Sequence, residues 1–304
     1  MRELREACAA VAEQARHVRV VADAIPAYAA ALPLAPGAQA PPEPPPAAER
    51  EAVAAFWLSL DAINFGSGWF PTLRKRSGLS GYNTIAAAWR ERATTGGPWS
   101  AAELTELSAS AVAAILAQDP EHELMALYAR SLNDLGRRVA GAQHGSFAAV
   151  VDAAGGSAVA LAGRLGEWEC FADCSRYGPR RVPFLKRAQI AAADLNRAGV
   201  ARFGDLHGLT MFADNLVPHV LRLDGVLRFE PDLVARIERG ELIRHDSVEE
   251  IEIRACAVHA VELLVAAAGP DATTAAEVDQ LLWERGQEPR YKASPRHRAR
   301  CTAY

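Results

Sequence analysis

Residues 249–268, EEIEIRACAVHAVELLVAAA, decide the fold class. Past its acidic start this run is nearly apolar, interrupted by Glu252, Arg254, His259 and Glu262. A helix that is apolar round most of its circumference has to be enclosed by others, so the run predicts a central helix. On its C-terminal side, Thr274-Ala-Ala-Glu277 matches a capping box that opens a last helix ending near Gly286. On its N-terminal side, residues 232–239 open a further helix, and Pro218 sits inside or at the start of another.

The same period continues upstream. Residues 2–32 read as one Ala-rich helix, and residues 51–60 as an apolar helix that delivers Asp61-Ala-Ile-Asn64-Phe65 into the turn Gly66-Ser-Gly68. Residues 82–115 are helical with a break at 94–98, and Asp119-Pro120 starts another helix carrying Leu124, Tyr128, Leu132 and Leu135. Residues 147–165 are helical with an interruption at Gly155-Gly156, and Pro183 is placed to begin a helix through about Arg197. Alternating strand-like runs are scarce. The expectation is an all-α, single globular domain over 1–304, with residues 33–47 a Pro-rich loop.

Composition narrows the function. The chain has 304 residues, half of them hydrophobic, and a formal net charge of −4. An acidic balance argues against a nucleic-acid polymer as partner. The five cysteines are scattered and odd in number, which is no disulfide framework; Cys170 and Cys174 lack a second pair to complete a zinc site. No metal and no cofactor are expected. No segment has the length and apolarity of a membrane span, so a cytoplasmic protein without a membrane partner is the expectation.

Several charged residues sit in apolar surroundings. Lys186 and Arg187 lie on the helix after Pro183, and Asp214 ends the apolar turn Leu209-Thr-Met-Phe-Ala-Asp214. Burying an ammonium or a carboxylate is costly unless it meets its opposite or a polar ligand. Plain readings stand beside the chemical ones. Lys186 would snorkel to water, Asp214 would cap a helix, and Asp279 would complement a helix dipole. His259 reads as a core histidine, and Phe65, Trp69 and Phe70 either stack on a planar base or fill the core. After Glu288 the chain carries Arg290, Lys292, Arg296, His297, Arg298 and Arg300 with no acid. Such a tail is either a solvated charge run or, folded back on Tyr291, Pro295, Cys301 and Tyr304, a clamp for one phosphate.

Asp61-Ala-Ile-Asn-Phe65, Phe171-Ala-Asp173, Val182-Pro-Phe-Leu-Lys-Arg-Ala-Gln189 with Ala193-Asp-Leu195, and the 209–214 turn with Val217-Pro218 occur in that order. Glu250-Ile-Glu-Ile-Arg254 with Val261-Glu-Leu263, Val278-Asp-x-x-Leu-Trp283 and His297-Arg-x-Arg-Cys-x-x-Tyr304 follow. This ordered set resembles the queuosine salvage family, the queuosine 5′-phosphate N-glycosylase/hydrolases. The resemblance implies hydrolysis of the N-glycosidic bond of queuosine 5′-monophosphate to queuine and ribose 5-phosphate. It also implies an all-helical fold distantly similar to helix-hairpin-helix DNA glycosylases, working without metal. On the matched motifs the catalytic residues would be Asp279, as nucleophile or cation stabiliser, with Asp214 and Lys186. The base would be held by Met211, Phe212, Ala213 and Asp214, with Asn64, Phe65 and Asp173. The phosphate would meet Arg187, Lys292, Arg296, His297 and Arg298. Departures from the pattern are the inserted Gly66-Ser-Gly68, Asn215 in place of an expected Tyr and His219 in place of an expected Gln. Two other readings stay open: a base glycosylase acting on a polymer, and a helical module that binds nucleotides without turnover.

Overall fold

The computed structural model describes residues 1–34, 46–269 and 272–304, and no side chain at Ala47, Ala142 and Gln143. Most of the Pro-rich loop expected at 33–47 therefore lies outside the described residues. In chain order the elements are α1 (Arg2–Gln14), β1 (Val18–Val20), α2 (Ile25–Ala31), α3 (Ala47–Ala62), α4 (Gly81–Gly96), α5 (Ala101–Glu106) and α6 (Ala109–Leu116). There follow α7 (Glu123–Gln143), α8 (Phe147–Asp152), α9 (Ala158–Leu165), β2 (Ser175–Tyr177), β3 (Arg180–Val182) and α10 (Lys186–Arg197). The last are α11 (Val217–Leu223), β4 (Leu227–Phe229), α12 (Pro231–Glu238), α13 (Val248–Ala268), α14 (Ala275–Arg285) and α15 (Pro289–Lys292).

The protein is mostly helical, but it is not wholly so. β1 pairs antiparallel with β4, and β2 with β3. Three-residue strands are too short to leave an alternating signature, which is why the all-α expectation needs this correction. The chain divides into two compact units. The first takes the described residues of 1–40, 174–186 and 206–300; the second takes those of 41–173, 187–205 and 301–304. No helix among the described residues is long and apolar enough to cross a membrane.

In the first unit α13 is the central helix that its sequence predicts, buried on successive residues rather than on one stripe. α1, α2, α11 and α14 all pack against it. Its charges are placed with partners. Glu252, fully buried, accepts hydrogen bonds from the main-chain N–H groups of Arg16, His17 and Val18 and from the Tyr177 hydroxyl. This carboxylate ends the expected single helix over 2–32. It draws three consecutive amides toward α13, so the chain leaves α1 and becomes a strand. No local signal marks the break, because its cause lies more than 230 residues away.

In the second unit α7 runs beside α3, α5, α6 and α8. Gly155 and Gly156, both at positive φ, separate α8 from α9 as their sequence predicts. The capping box at Thr274 and Glu277 is likewise formed at the start of α14 in the first unit. The helix expected from Pro183 begins later, at Lys186, because Leu185 adopts a left-handed φ of 52°.

Replacing Glu252 by Ala leaves buried N–H groups without acceptors. We expect a loss of about 3 kcal/mol or more of stability, read as a lower denaturant midpoint, with Glu252→Gln losing less.

Candidate active site

The first unit gathers most of the residues singled out by the sequence. The 209–214 turn is buried at Met211, Phe212 and Ala213, with Asp214 half-buried. It has no regular secondary structure, so its main-chain groups need partners from elsewhere. The Arg5 guanidinium donates to the carbonyls of Gly208 and Leu209, at 3.1 and 2.9 Å. Arg254, fully buried on α13, donates from Nε to the Ala213 carbonyl at 2.9 Å and stacks over the Phe184 ring. Asp279 on α14 accepts the Phe212 N–H at 3.0 Å.

Asp279 is 5% exposed. It stands one turn into a helix whose own first amides are served by Thr274 and Glu277, so its carboxylate is not spent on that terminus. The dipole-complement reading accounts for its place in sequence and not for its burial. Asp214, by contrast, comes close to its plain reading: the N-cap position of α11 is Leu216, but Asp214 Oδ1 accepts the N–H groups of Leu216 and Val217 at 2.8 and 3.1 Å, ahead of the helix. Lys186 is 5% exposed, so the snorkelling reading fails.

The basic tail folds back within this unit. Three polar side chains, Asn215 two residues ahead of α11 and His219 and Arg222 on it, hold three of the tail's carbonyls. Asn215 donates to His297, His219 contacts Tyr291 through Nε2 and Arg222 reaches Pro295, at 2.9, 2.9 and 3.4 Å. They lie at i, i+4 and i+7, one face of a helix. Asn215 and His219 are two of the three departures from the family pattern, and both are used here on the main chain. Tyr291 adds a hydroxyl bond to Asp224 at 2.8 Å, and Arg290 an ion pair with the same carboxylate. Lys292 is exposed, while Arg296 and Arg298 are half-buried. Burial lowers the pKa of the Arg296 guanidinium, and Asp214 pulls it back up.

His297 is buried. Burial, followed by the charges of Arg254, His219, Arg296 and Arg222, pushes its pKa down to about 3. It is neutral at physiological pH and offers hydrogen bonds rather than charge. His219 falls to about 4, chiefly through burial, with Arg222 and Arg296 adding to the effect. Because its Nε2 faces a carbonyl, that nitrogen carries the proton. Burial also lowers the pKa of His259, which is half-buried on α13.

The second unit carries Asn64, Phe65, Asp173 and Arg187. Phe65 is buried with its ring edge-on to Tyr128 and under the Arg187 guanidinium. Its carbonyl accepts the Tyr128 hydroxyl. Arg187 is employed differently from the phosphate ligand expected of it. It is 1% exposed, and its Nη1 donates to the carbonyls of Ala62 and Cys170. Burial lowers its pKa, opposed by Cys170 and by the carboxylates of Asp173 and Asp61. Asp173 is buried and Asn64 half-buried. Gly66, at φ 112°, has no room for a side chain: a Cβ would come within 2.9 Å of Leu124. Its N–H donates to the carbonyl of Tyr304. Trp69 is buried with its indole N–H on Glu123, and Phe70 is half-buried.

Sequence reasoning did not assign Arg5, Arg254 or Asp224. Only Arg254 left a signal, as a cation inside the most apolar run of the chain. Among the described residues one group has metal-ligand spacing, His245, Asp246 and Glu250. Its Glu250 oxygen lies 3.6 Å from Arg254, a cation already in place.

The two neutral histidines have a consequence for acid stability. Unfolded, each would bind a proton below about pH 6.5, while the folded state resists until about 4 or 3. Stability should therefore be flat above pH 6.5 and fall as pH drops toward 4, by on the order of 3 kcal/mol for His219. Gln keeps a donor for the Tyr291 carbonyl and does not titrate. Thermal melts of His219→Gln between pH 7 and 4 should fall less steeply than those of the wild type.

The sequence pattern described as queuosine salvage protein matches residues 44–304. Among the relatives this chain is similar to is the queuosine 5′-phosphate N-glycosylase/hydrolase of Sphaerobacter thermophilus. It is 38% identical over 266 residues, 84% of this chain and 82% of the relative. The Bos taurus protein of the same name is 30% identical over 74% of this chain and 72% of its own. The Mus musculus one is 31% identical over 58% and 56%.

Proposed function

From the premise that the chain belongs to the queuosine salvage protein family, we propose that it cleaves the N-glycosidic bond of queuosine 5′-monophosphate. Water is the co-substrate, and queuine and ribose 5-phosphate are the products. The chain is an N-glycosyl hydrolase of queuine salvage. The observation that carries the site assignment is the Phe212 N–H to Asp279 hydrogen bond, which joins the turn assigned to the base to the acid assigned to the sugar.

The chemistry of the leaving group explains why a buried acid is wanted. Queuine is a 7-deazaguanine, so there is no N7 to protonate. Catalysis has to come from stabilising positive charge that develops on the ribose, and from hydrogen bonds to the departing heterocycle. Asp279, desolvated and oriented by one main-chain amide, suits either electrostatic stabilisation of an oxocarbenium-like ribose or attack at C1′. Attack would form a covalent ribosyl-enzyme that water then opens. Asp214 suits the guanine-like N–H donors of the base, its other oxygen being fixed by the start of α11. Lys186, buried at the head of α10, is assigned to charge balance within this acidic group.

For the phosphate, Arg296, Arg298 and Lys292 supply cations and His297 a neutral donor. Phosphate held at the tail would position the ribose for reaction. The assignments of Asn64, Phe65 and Asp173 to base binding rest on the motif match, and Arg187 is better assigned to holding Phe65 and the end of α3. A phosphorylated nucleotide is retained inside the cell, which favours a cytoplasmic setting. The helical majority agrees with a distant likeness to helix-hairpin-helix glycosylases, and the formal charge of −4 favours a free nucleotide over a polymer.

Incubation with queuosine 5′-monophosphate should release free queuine, while intact tRNA should release none. Queuine from tRNA alone would favour the polymer-acting glycosylase, and binding without release the non-catalytic module. Asp279→Asn retains an oxygen for the Phe212 amide but loses the charge. It should melt near the wild-type temperature and lose about 10³-fold or more in kcat. A folded variant with wild-type turnover would remove Asp279 from the reaction.

A further inference from the structure

A cleft in the first unit uses none of the residues assigned to hydrolysis. It has a volume of about 310 Å³ and is lined by Ala15, Arg16, Val18, Arg19, Arg228 and Glu230. Arg19 and Arg228 are direct cross-strand partners in the β1–β4 ribbon. Like charges placed directly opposite destabilise a sheet, and although Arg16, Arg19 and Arg228 are solvent-exposed, an anion bound between them would relieve that repulsion. The other ribbon sets Arg176 opposite Arg181, but there Glu3 and the Cys174 thiol lie beside Arg181.

Several arginines elsewhere are matched to carboxylates, among them Arg5 with Glu262, Arg50 with Asp152 and Arg236 with Glu249. Arg16, Arg19 and Arg228 form no ion pair among the described residues. Glu230 offsets one of the three charges, leaving the cleft net positive. Its frame is rigid for a physical reason. The Arg16 amide is fixed on the buried Glu252 carboxylate, and the Glu230 N–H closes the ribbon on the His17 carbonyl at 2.8 Å.

We propose that this cleft is a second anion site, taking the phosphate group of a small phosphorylated metabolite between the Arg19, Arg228 and Arg16 guanidiniums. Guanidinium forks match phosphate oxygens in geometry as well as charge. The volume is that of a pocket for a compound the size of a mononucleotide. Nothing in the proposal depends on the identity of the hydrolysed substrate.

Inorganic pyrophosphate is the probe, titrated calorimetrically into the wild type and into Arg19→Gln/Arg228→Gln. Binding should weaken roughly tenfold or more in the variant. Without pyrophosphate the variant should melt no lower than the wild type, because a repulsive pair has been removed, and should hydrolyse queuosine 5′-monophosphate at the wild-type rate. Pyrophosphate should raise the melting temperature of the wild type by more than that of the variant, whose basic tail is unchanged. Equal affinity in the two proteins, or no binding by the wild type, would overturn the proposal. So would a wild type that ignores pyrophosphate but binds a short single-stranded RNA through these arginines, since the partner would then be a polymer.

Discussion

The hydrogen bond between the Phe212 amide and the Asp279 carboxylate is the interaction on which the proposed active site depends. A carboxylate at 5% exposure has to be paid for, and one charge-assisted bond to a main-chain amide returns about 1.5–3 kcal/mol. That contribution fixes two things together. It holds an apolar turn that has no secondary structure of its own, and it orients an acid that lies a full turn inside its helix. Arg254 secures the next residue from the opposite polarity, donating to the Ala213 carbonyl. Consecutive residues of the turn are thus held by an anion and a cation carried on different helices.

The central helix serves this arrangement at both of its inner charges. Glu252 gathers the main chain of β1, and Arg254 gathers the turn. Both are fully buried, and both bond to backbone groups that no local element would satisfy. Such pairings are stabilising only while complete, since either partner alone leaves a buried charge or an orphan amide. The site is therefore a consequence of how the core is closed, rather than an addition to its surface.

What was legible in the sequence follows the range of the interactions. The enclosed helix over residues 249–268, the capping box at Thr274 and the break at Gly155-Gly156 all rest on contacts within a few residues, and each is present. The β1–β4 ribbon was not legible, because three-residue strands carry no period and their pairing joins chain segments about 210 residues apart. The late start of α10 depends on a left-handed Leu185, for which leucine gives no signal. At the site, composition marked Lys186, Asp214 and Asp279 as charges in apolar company. It offered a helix-terminus role for both acids, and did not say that Asp279 would instead be held on the Phe212 amide, away from its own helix terminus. Arg187 is the instructive case: a basic residue beside Lys186 on the same helix, it is consumed by two carbonyls and the Phe65 ring.

The central claim is that Asp279 and the 209–214 turn act as one unit on the sugar and its base. A crystal structure of Asp279→Asn with queuosine 5′-monophosphate tests it most directly. The account predicts ribose C1′ within about 3.5 Å of the residue 279 side chain, a reactive separation, with the heterocycle edge against residues 211–214. A nucleotide bound with its glycosidic bond well away from both would contradict it.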